Sequence, residues 1–357
     1  MPVWKCEITP VDQPGLEYRG YEPNELLGMH AGSNVERRTQ RMVAGRQGAG
    51  SCLGSLTNMI EVCGREVCIE GRVLRIAHLH GDTFRFIDDP ASLVNGLQAC
   101  GARVDLFTFA QRLSETKPKF SYPVEWENAA MLPVSTFQHW WTHQLRSYPR
   151  NRARQAEKRG VILRETPFDD SLVAGIREIY NECPIRQRRR FPHYGKDFET
   201  VRREEATFLD SSIFIGAFLE EKLIGFVKLV PDENRSQAGL MNIVSLMKHF
   251  DKAPQNALIA YAVRACANRG IPYLVYSTFD YGQKRQDSLR DFKERSGFQR
   301  VDTPRYYVPL TALGRAAFCL GLHHRLGERI PEPFAARLRN LRAVWYERRY
   351  RSVTEAL

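Results

Sequence analysis

Arginine and lysine side chains are the reactive groups that this 357-residue chain concentrates most strongly. They cluster at 145–160, 186–190, 293–300 and 315–351, and the net charge of the chain is +11. A guanidinium binds phosphate or carboxylate oxygens through two parallel hydrogen bonds, and lysine adds a compact point charge. The clusters therefore predict an anionic partner. They leave open whether it is a phosphorylated ligand, RNA or an anionic membrane surface, and no DNA partner is predicted.

The cysteines and histidines show no spacing typical of a metal site. None of the eight cysteines belongs to a CxxC pair, and the closest two, Cys63 and Cys68, are separated by four residues. His139 and His143 are one helical turn apart, but no glutamate between them completes an HExxH motif. We therefore expect reduced cysteines, no metal and no resident cofactor.

The apolar pattern predicts the elements that would position these groups. Residues 57–126 are typical of short strands broken by glycines, with one helix at 91–100. From residue 161 onward, strands alternate with amphipathic helices. The clearest of these elements are a hairpin at 213–230, a strand at 240–246, a helix at 253–270, a strand at 272–279 and a helix at 287–297. Their order predicts an α/β fold with a mixed central sheet flanked by helices.

The same pattern divides the chain into four segments. Residues 1–55 are poorly patterned, 56–145 form a weak first β/α half, 146–311 carry the clear β/α series, and 312–357 form a basic helical tail. No window approaches the roughly 18 consecutive apolar residues of a membrane span, and the N-terminus shows no apolar signal segment. We therefore expect a cytoplasmic protein.

Five stretches carry a resemblance to a known superfamily. The hairpin IFIGAFLEEKLIGFVKLV and the closing SLRDFKERSGF resemble a GNAT-type acyltransferase domain, over roughly residues 160–311. RNRARQAEKRGVILRE resembles the arginine-rich helix that enters the second domain of Fem-type peptidyltransferases, which are tandem GNAT-like proteins. HYGKDFETV and PRYYVPLT also look like an uncharacterised GNAT-like group. The resemblance implies a tandem GNAT-like fold, with 56–145 as a degenerate first copy and 146–311 as the acyltransferase domain.

The resemblance also implies a reaction. GNAT-like enzymes bring an acyl donor and an amine together between two parallel strands that splay apart, and here these would be 240–246 and 272–277. The implied function is transfer of an acyl or aminoacyl group from an anionic carrier to an amine, such as an amino sugar or a cell-envelope precursor. The carrier would be acyl-CoA, an acyl carrier protein or, as in Fem-type proteins, a charged tRNA.

The resemblance places the carrier at the start of the helix after the first splayed strand. The matching stretch, KHFDKAPQNALI, lacks the family's glycines, and Pro254 removes one amide donor. This departure favours the protein or tRNA carrier over coenzyme A. The residues predicted to bind the carrier are Lys248, Lys252, Gln255 and Asn256.

The family's acid, a tyrosine that protonates the leaving thiolate, is not matched, because Lys293 stands at its position. Tyr281 and Tyr194 are the predicted catalytic substitutes. The predicted substrate contacts are Lys196, Asp197 and Lys284. The missing tyrosine and glycines leave an alternative open, a non-catalytic GNAT-like module that binds RNA or a membrane surface.

The tail predicts a basic amphipathic helix over 333–351. Its apolar residues recur at helical spacing, at Phe334, Leu338, Leu341, Val344 and Trp345. Arg337, Arg339, Arg342, Arg348 and Arg349 are distributed around them. Two interpretations follow from this pattern. Either the apolar stripe packs against the preceding domain, or the helix lies on an anionic membrane surface.

Overall fold

The computed structural model describes residues 58–280, 288–324 and 332–350. The first half contains, in chain order, β1 (Asn58–Val62), β2 (Arg65–Glu70), β3 (Ile76–Leu79), α1 (Pro90–Ala99), β4 (Leu106–Ala110) and β5 (Val124–Pro133). The connection to the second half contains α2 (Phe137–His139), a π-helical turn (Trp140–Gln144) and α3 (Ser147–Lys158).

The second half begins with β6 (Ile162–Glu165), α4 (Asp170–Asn181), β7 (Ile185–Arg186), β8 (Arg189–Arg190), α5 (Phe198–Glu205), β9 (Ile213–Leu219) and β10 (Lys222–Pro231). It continues with β11 (Ala238–Ser245), a 3₁₀ turn (Met247–Lys252), α6 (Pro254–Asn268), β12 (Tyr273–Val275), α7 (Ser288–Arg295) and β13 (Gln299–Pro309). The tail contains α8 (Ala312–Cys319) and α9 (Glu332–Arg349). The predicted hairpin, and the predicted helices that match α6 and α7, are confirmed.

The main sheet repeats one pattern on both sides of its centre. Its strand order is β1-β2-β3-β4-β13-β5-β12-β11-β10-β9-β6. Outward from the central pair, both sides show an antiparallel pairing, then a parallel pair, then two antiparallel pairings. On the side of the second copy, β6 adds one more antiparallel pairing, with β9. Helices α1 and α6 connect the strands of the two parallel pairs. The mixed sheet and the tandem arrangement predicted from the sequence are therefore confirmed.

The two copies exchange a strand at the centre of the sheet. Strand β13, from the second half of the chain, lies between β4 and β5, and β5 lies between β13 and β12. The long β13–β5 ladder runs from Gln299 opposite Met131 to Tyr306 opposite Val124. Each copy therefore completes its sheet with a strand of the other, and neither half of the chain forms its own sheet alone.

Helices α4 and α6 cover opposite faces of the second copy. Tyr180 of α4 packs its ring edge against Phe226 of β10, with ring centroids 5.9 Å apart. The preceding residue, Gly225, points to the other face, where a Cβ would lie 3.2 Å from Leu258 of α6 and 2.9 Å from the Cβ of Ser245. A glycine at 225 therefore allows α6 to pack closely against the sheet.

The tail is fastened to the first copy at its beginning. His323, which follows α8, has its Nε2 2.9 Å from an oxygen of Glu125 on β5, and the His323 side chain is 2% exposed. Further along, Arg188 beside β8 forms an ion pair with Glu347 of α9. None of the helices in the described ranges has the length and apolar character needed to traverse a bilayer.

Candidate active site

Strands β11 and β12 diverge soon after they meet. They pair in parallel at only two positions, Ala238 with Leu274 and Gly239 with Val275. Beyond Gly239, β11 runs on to Ser245 paired with β10 alone. The prediction that these strands are adjacent and parallel, and then splay, is confirmed. A cleft therefore opens in the sheet along the second half of β11.

The far wall of the cleft is held by the first copy. After Val275 the chain stays with β5, because the Tyr276 N–H donates to the Ala130 carbonyl and the Ala130 N–H donates to the Ser277 carbonyl, each at 2.8 Å. The strand predicted at 272–279 ends earlier than expected, at Val275, because Ser277 has a φ of 49°, which a regular strand does not allow. The tandem arrangement thus keeps β12 and its continuation away from β11.

Backbone groups of β11 point into the cleft. The Leu246 N–H donates to the Ile224 carbonyl at 2.8 Å. Because backbone groups alternate in direction along a strand, those of Val244 and Asn242 also point toward β10. The alternate residues, Ile243 and Ser245, direct their N–H and carbonyl groups to the open side. An N–H group held in this way is suited to polarising the carbonyl of an acyl donor.

A buried ion pair closes the end of β11. Arg186 donates to the Ser245 carbonyl at 2.7 Å and pairs with Glu182 at 3.2 Å. Glu182 also accepts the N–H groups of Met247 and Lys248, at 2.6 and 3.1 Å. Burial lowers the pKa of Arg186, while the Glu182 carboxylate opposes that shift. The pair fixes the turn between β11 and α6.

A cavity of about 360 Å³ lies at the start of α6, between that helix, α3 and α7. Gln255 and Asn256, in the first turn of α6, line it. Its charged lining residues are Arg152, Arg295 and Asp291. The cavity therefore has a positive lining at the helix end that attracts anions.

The start of α6 has no acidic cap. Ala253 precedes the helix with φ of 55°, no side chain caps it, and Pro254 occupies the first helical position. The first N–H groups of a helix have no partner within the helix, so those of Gln255 and Asn256 face outward beside the cavity. Gln255 and Asn256 therefore lie at the uncapped start of α6 beside the cavity, and their binding of a carrier stays a prediction.

Basic side chains surround the turn before α6. Arg152 donates to the Phe250 carbonyl at 2.6 Å and to the Asp251 carbonyl at 3.2 Å. Arg159 pairs with the Asp251 carboxylate at 2.8 Å. Lys252 is 3.5 Å from the same carboxylate. The turn is therefore held to α3 by arginines.

The charges around His249 in this turn include two lysines and two carboxylates, those of Asp251 and Glu182. Burial lowers the pKa of His249, and the neighbouring Lys252 and Lys248 lower it further. Lys248 and Lys252 thus precede α6 as predicted, although they lie outside the lining of the cavity. Lys248 and Lys252 belong to the 3₁₀ turn, so their positive charges lie before the first turn of α6.

A buried polar network lies on the other face of the sheet. Glu205 of α5 accepts hydrogen bonds from the Tyr180 hydroxyl at 2.7 Å and from the Asn242 amide at 2.9 Å. Lys228 of β10, fully buried, donates to the carbonyls of Glu205 and Thr207, each at 2.7 Å. Burial lowers the pKa of Lys228 to about 8. The network connects α5 to the splayed part of β11 through Asn242.

Sequence reasoning missed this network and the ion pair. Lys228 and Asn242 each interrupt an otherwise apolar strand, and such an interruption is the signal that would have identified them. Arg186 belongs to the basic cluster at 186–190, and Glu182 is four residues before it in the sequence. Their pairing joins segments that no local pattern connects.

The predicted residues Tyr194, Lys196 and Asp197 lie together in the loop before α5. Lys196 binds the Glu204 carboxylate and the His193 ring nitrogen. Asp197 caps α5 by accepting the Thr200 N–H at 2.7 Å, a hydrogen bond that lowers the pKa of Asp197. This loop is on the α4–α5 side of the sheet, opposite Gln255 and Asn256.

Two predicted residues, Tyr281 and Lys284, lie outside the described residues. Lys293, at the position of the family's tyrosine, is fully buried. Its ammonium donates to the Thr278 carbonyl at 2.5 Å and lies 4.5 Å from the centre of the Tyr276 ring. Lys293 therefore holds the segment after β12 against α7.

Comparison with known proteins identifies the fold. No protein-family model matches the sequence, and no curated protein matches it. Among solved structures, L-PGS from Bacillus licheniformis has a TM-score of 0.50 at 14% identity, covering 74% of this chain and 88% of that one. FemX has a TM-score of 0.50 at 9% identity, covering 75% and 90%. At such identities the likeness shows the fold alone, and that fold is the tandem GNAT-like one.

Proposed function

We propose that the protein is a transferase that moves an acyl or aminoacyl group from an anionic carrier to an amine. The observation that carries this proposal is the divergence of β11 from β12, together with the cavity at the start of α6, the helix that follows β11. A cleft between the two faces of the sheet brings donor and acceptor together without a covalent enzyme intermediate. On the Fem-type resemblance, the acceptor is an amino sugar or a cell-envelope precursor.

The donor binds on the α6 side. Its anionic part lies at the N–H groups of Gln255 and Asn256, with Lys248 and Lys252 supplying positive charge. Its reacting carbonyl accepts a hydrogen bond from the Ile243 N–H, which stabilises the negative charge that develops on that oxygen.

The acceptor binds on the α4–α5 side. The amine nitrogen attacks the carbonyl carbon, the bond from that carbon to the carrier breaks, and the amine loses a proton while the carrier gains one. We assign these proton transfers to Tyr194 and Tyr281, and an acceptor contact to Lys284. Lys196 and Asp197 position the loop that carries Tyr194 through their bonds to Glu204 and the first turn of α5.

Aminoacyl-tRNA is the carrier that the basic surface favours. Helix α3, whose Arg152 lines the cavity, exposes further basic side chains at Arg146, Arg154, Lys158 and Arg159. A row of exposed cations suits a long phosphate backbone, whose binding weakens steeply with salt. Coenzyme A carries its phosphates at one end, so it would contact the start of α6 but not the basic side chains along α3.

The carrier is identified by binding at near-physiological salt. Thermal stabilisation is measured with acyl-CoA, an acyl carrier protein and an aminoacyl-tRNA pool. The double variant Lys248→Ala/Lys252→Ala is expected to weaken carrier binding and to reduce its salt dependence. The control pair Lys117→Ala/Lys222→Ala removes two exposed lysines elsewhere and should leave binding unchanged. If the Lys248→Ala/Lys252→Ala variant binds the carrier as tightly as the original chain, the anion site is instead at the arginines in 186–190.

A non-catalytic binding module is the second candidate function. It is favoured by Lys293, which fills the acid position and donates to a backbone carbonyl, and by Glu182, which occupies two N–H groups at the end of β11. The two candidates differ in turnover. Carrier binding without transfer of a labelled aminoacyl or acyl group to any amine in a mixed acceptor pool would favour the module.

A further inference from the structure

Helix α9 rests on the protein through a narrow face. Ala343 is its buried residue, and Glu347, one turn later, pairs with Arg188 at 3.4 Å. Both residues lie on one side of the helix, because positions four apart share a face. Arg339 and Tyr346 are half-buried, and most of the other described side chains of α9 are exposed.

The apolar stripe of α9 is on the exposed side. Its five members are 40–69% exposed, and they are Phe334, Leu338, Leu341, Val344 and Trp345. With Leu313, Leu320 and Leu322 they make up half of the exposed large apolar residues in the described chain. The interpretation in which the stripe packs against the domain is therefore wrong. A stripe of this size exposed to water marks a surface that another phase or molecule covers.

Arginines flank the exposed stripe on both sides. At about 100° per residue, Phe334, Leu338, Leu341 and Trp345 fall within an arc of roughly 60°. Arg337 and Arg348 lie on one side of that arc. Arg342 and Arg349 lie on the other. This arrangement places each guanidinium at the level where an apolar stripe enters a bilayer and lipid phosphates begin.

One contact shows how such a side chain reaches around the stripe. The Arg349 guanidinium lies 5.0 Å from the centre of the Trp345 ring. An arginine stem can cover apolar surface while its charged end stays in the polar layer, and tryptophan is enriched at the same depth of a membrane. The pair has the composition of an interfacial anchor.

We propose that α9 is an interfacial helix that holds the protein on an anionic lipid bilayer. The exposed stripe enters the boundary between acyl chains and headgroups, and the flanking arginines bind lipid phosphates. The charge of the helix favours a bilayer over a second copy of this chain, since five arginines face only two glutamates within Glu332–Arg349 and a second copy would bring like charges together. The proposal needs no catalysis and does not depend on the proposed function.

The position of α9 relates the bilayer to the candidate active site. Arg188, its partner, is in the turn between β7 and β8. Two residues earlier, Arg186 donates to the Ser245 carbonyl at the end of the splayed strand. A bilayer under α9 would therefore lie close to the segment that leads to the acceptor side of the cleft.

Vesicle sedimentation of the full chain tests the proposal. We expect binding to vesicles of phosphatidylcholine with phosphatidylglycerol, and at least tenfold weaker binding to phosphatidylcholine alone. The variant Leu338→Gln/Leu341→Gln is expected to lose at least tenfold in affinity for the anionic vesicles. The control Ile162→Gln/Leu209→Gln changes two exposed apolar residues elsewhere and should bind as the original chain does.

Trp345 provides an independent readout. Lipids brominated near the headgroup should quench part of the tryptophan fluorescence, and Trp345→Phe should remove that part. Equal vesicle binding by the α9 variant and the control would overturn the proposal. Dimerisation through α9 would also overturn it. In that case sedimentation would show a dimer for the original chain and a monomer for the Leu338→Gln/Leu341→Gln variant, and the two would bind vesicles equally.

Discussion

The two parallel strand pairs, β3 with β4 and β11 with β12, are related by the repeat but differ beyond their last paired residues. In the first copy, Arg305 of β13 spans the space after β3. It pairs with Asp82 at 2.7 Å and with Glu127 of β5 at 2.7 Å, and its side chain is only 11% exposed. In the second copy, β11 and β12 separate and leave a cleft.

The helices that follow β3 and β11, α1 and α6, differ in how their first turns are capped. The Asp89 carboxylate caps α1 by accepting the N–H groups of Ala91 and Ser92 at 3.1 and 3.2 Å. The start of α6 has Ala253 and Pro254 there, with no side-chain cap. The first copy supplies its own anion to the helix start, whereas no side chain caps the helix start in the second copy, where we propose that the carrier binds.

This difference assigns separate roles to two copies of one fold. In the first copy, ion pairs of Arg305 occupy the region after β3 and Asp89 caps α1, and β5 of this copy binds the continuation of β12. The second copy keeps the open cleft, the uncapped helix and the cavity. The following changes test that division.

The largest expected effect on stability comes from removing the ion pairs of Arg305 in the first copy. Arg305→Met leaves the carboxylates of Asp82 and Glu127 without their shared partner in a partly buried position. We expect the free energy of unfolding to fall by about 3 kcal/mol, measured by urea denaturation. Arg300→Met, on the same strand but half exposed, should cost less than about 1 kcal/mol. Equal small losses in both variants would show that Arg305 does not close this region.

A second change probes a charge that only the second copy contains. Lys228 is buried on β10, and the equivalent strand of the first copy, β2, contains no lysine. Because burial lowers the pKa of Lys228 from 10.5 to about 8, the unfolded chain holds a proton that the folded chain releases between those values. The free energy of unfolding should therefore rise with pH in that window, by up to about 1.4 kcal/mol per pH unit.

Lys228→Met removes that titration. We expect the stability of the original chain relative to this variant to increase by about 2 kcal/mol between pH 8 and pH 10, measured by urea denaturation at a series of pH values. The raised pKa of Tyr180 affects stability only at higher pH, where it acts in the opposite direction. A difference that stays constant over the window would show that the Lys228 ammonium is not held in the fold as described.

The smallest effect is expected at the start of α1. Asp89→Asn keeps the shape of the cap but removes its charge, so the melting temperature should fall by no more than about 3 °C. The variant should gain no affinity for acyl-CoA or aminoacyl-tRNA, because Arg305 still fills the space beside β3. Calorimetry and a binding titration measure the two outcomes, and new carrier affinity would contradict the assignment of roles.

Local patterns predicted the elements well because the information is local. The hairpin at 213–230 and the helix beginning at Pro254 depend on neighbouring apolar residues and on one proline, and both are confirmed. The same pattern cannot place β13 between β4 and β5, because that pairing joins residues about 200 positions apart. The early end of β12 follows from the positive φ of Ser277, which the apolar pattern of 272–279 does not indicate.

The residues of the candidate site also fall into those that a local motif predicts and those that depend on tertiary packing. Gln255 and Asn256 were predicted from a motif within one turn of helix, and they line the cavity. The Glu182–Arg186 pair and the Glu205–Asn242 hydrogen bond depend on tertiary packing, which no spacing in the sequence encodes. In the tail, periodicity predicted the helix, but the exposure of its stripe depends on what α9 packs against.

The central claim is that the start of α6, and not that of α1, binds the anionic carrier. The most direct test is the variant Gln255→Glu/Asn256→Asp, which keeps side-chain size and adds two negative charges to the first turn. Negative charge there stabilises a helix, so the melting temperature should stay the same or rise. Carrier affinity, measured with acyl-CoA and with an aminoacyl-tRNA pool, should fall at least tenfold, while the neutral Gln255→Ala/Asn256→Ala control loses less. A folded charged variant that binds both carriers as the original chain does would contradict the account.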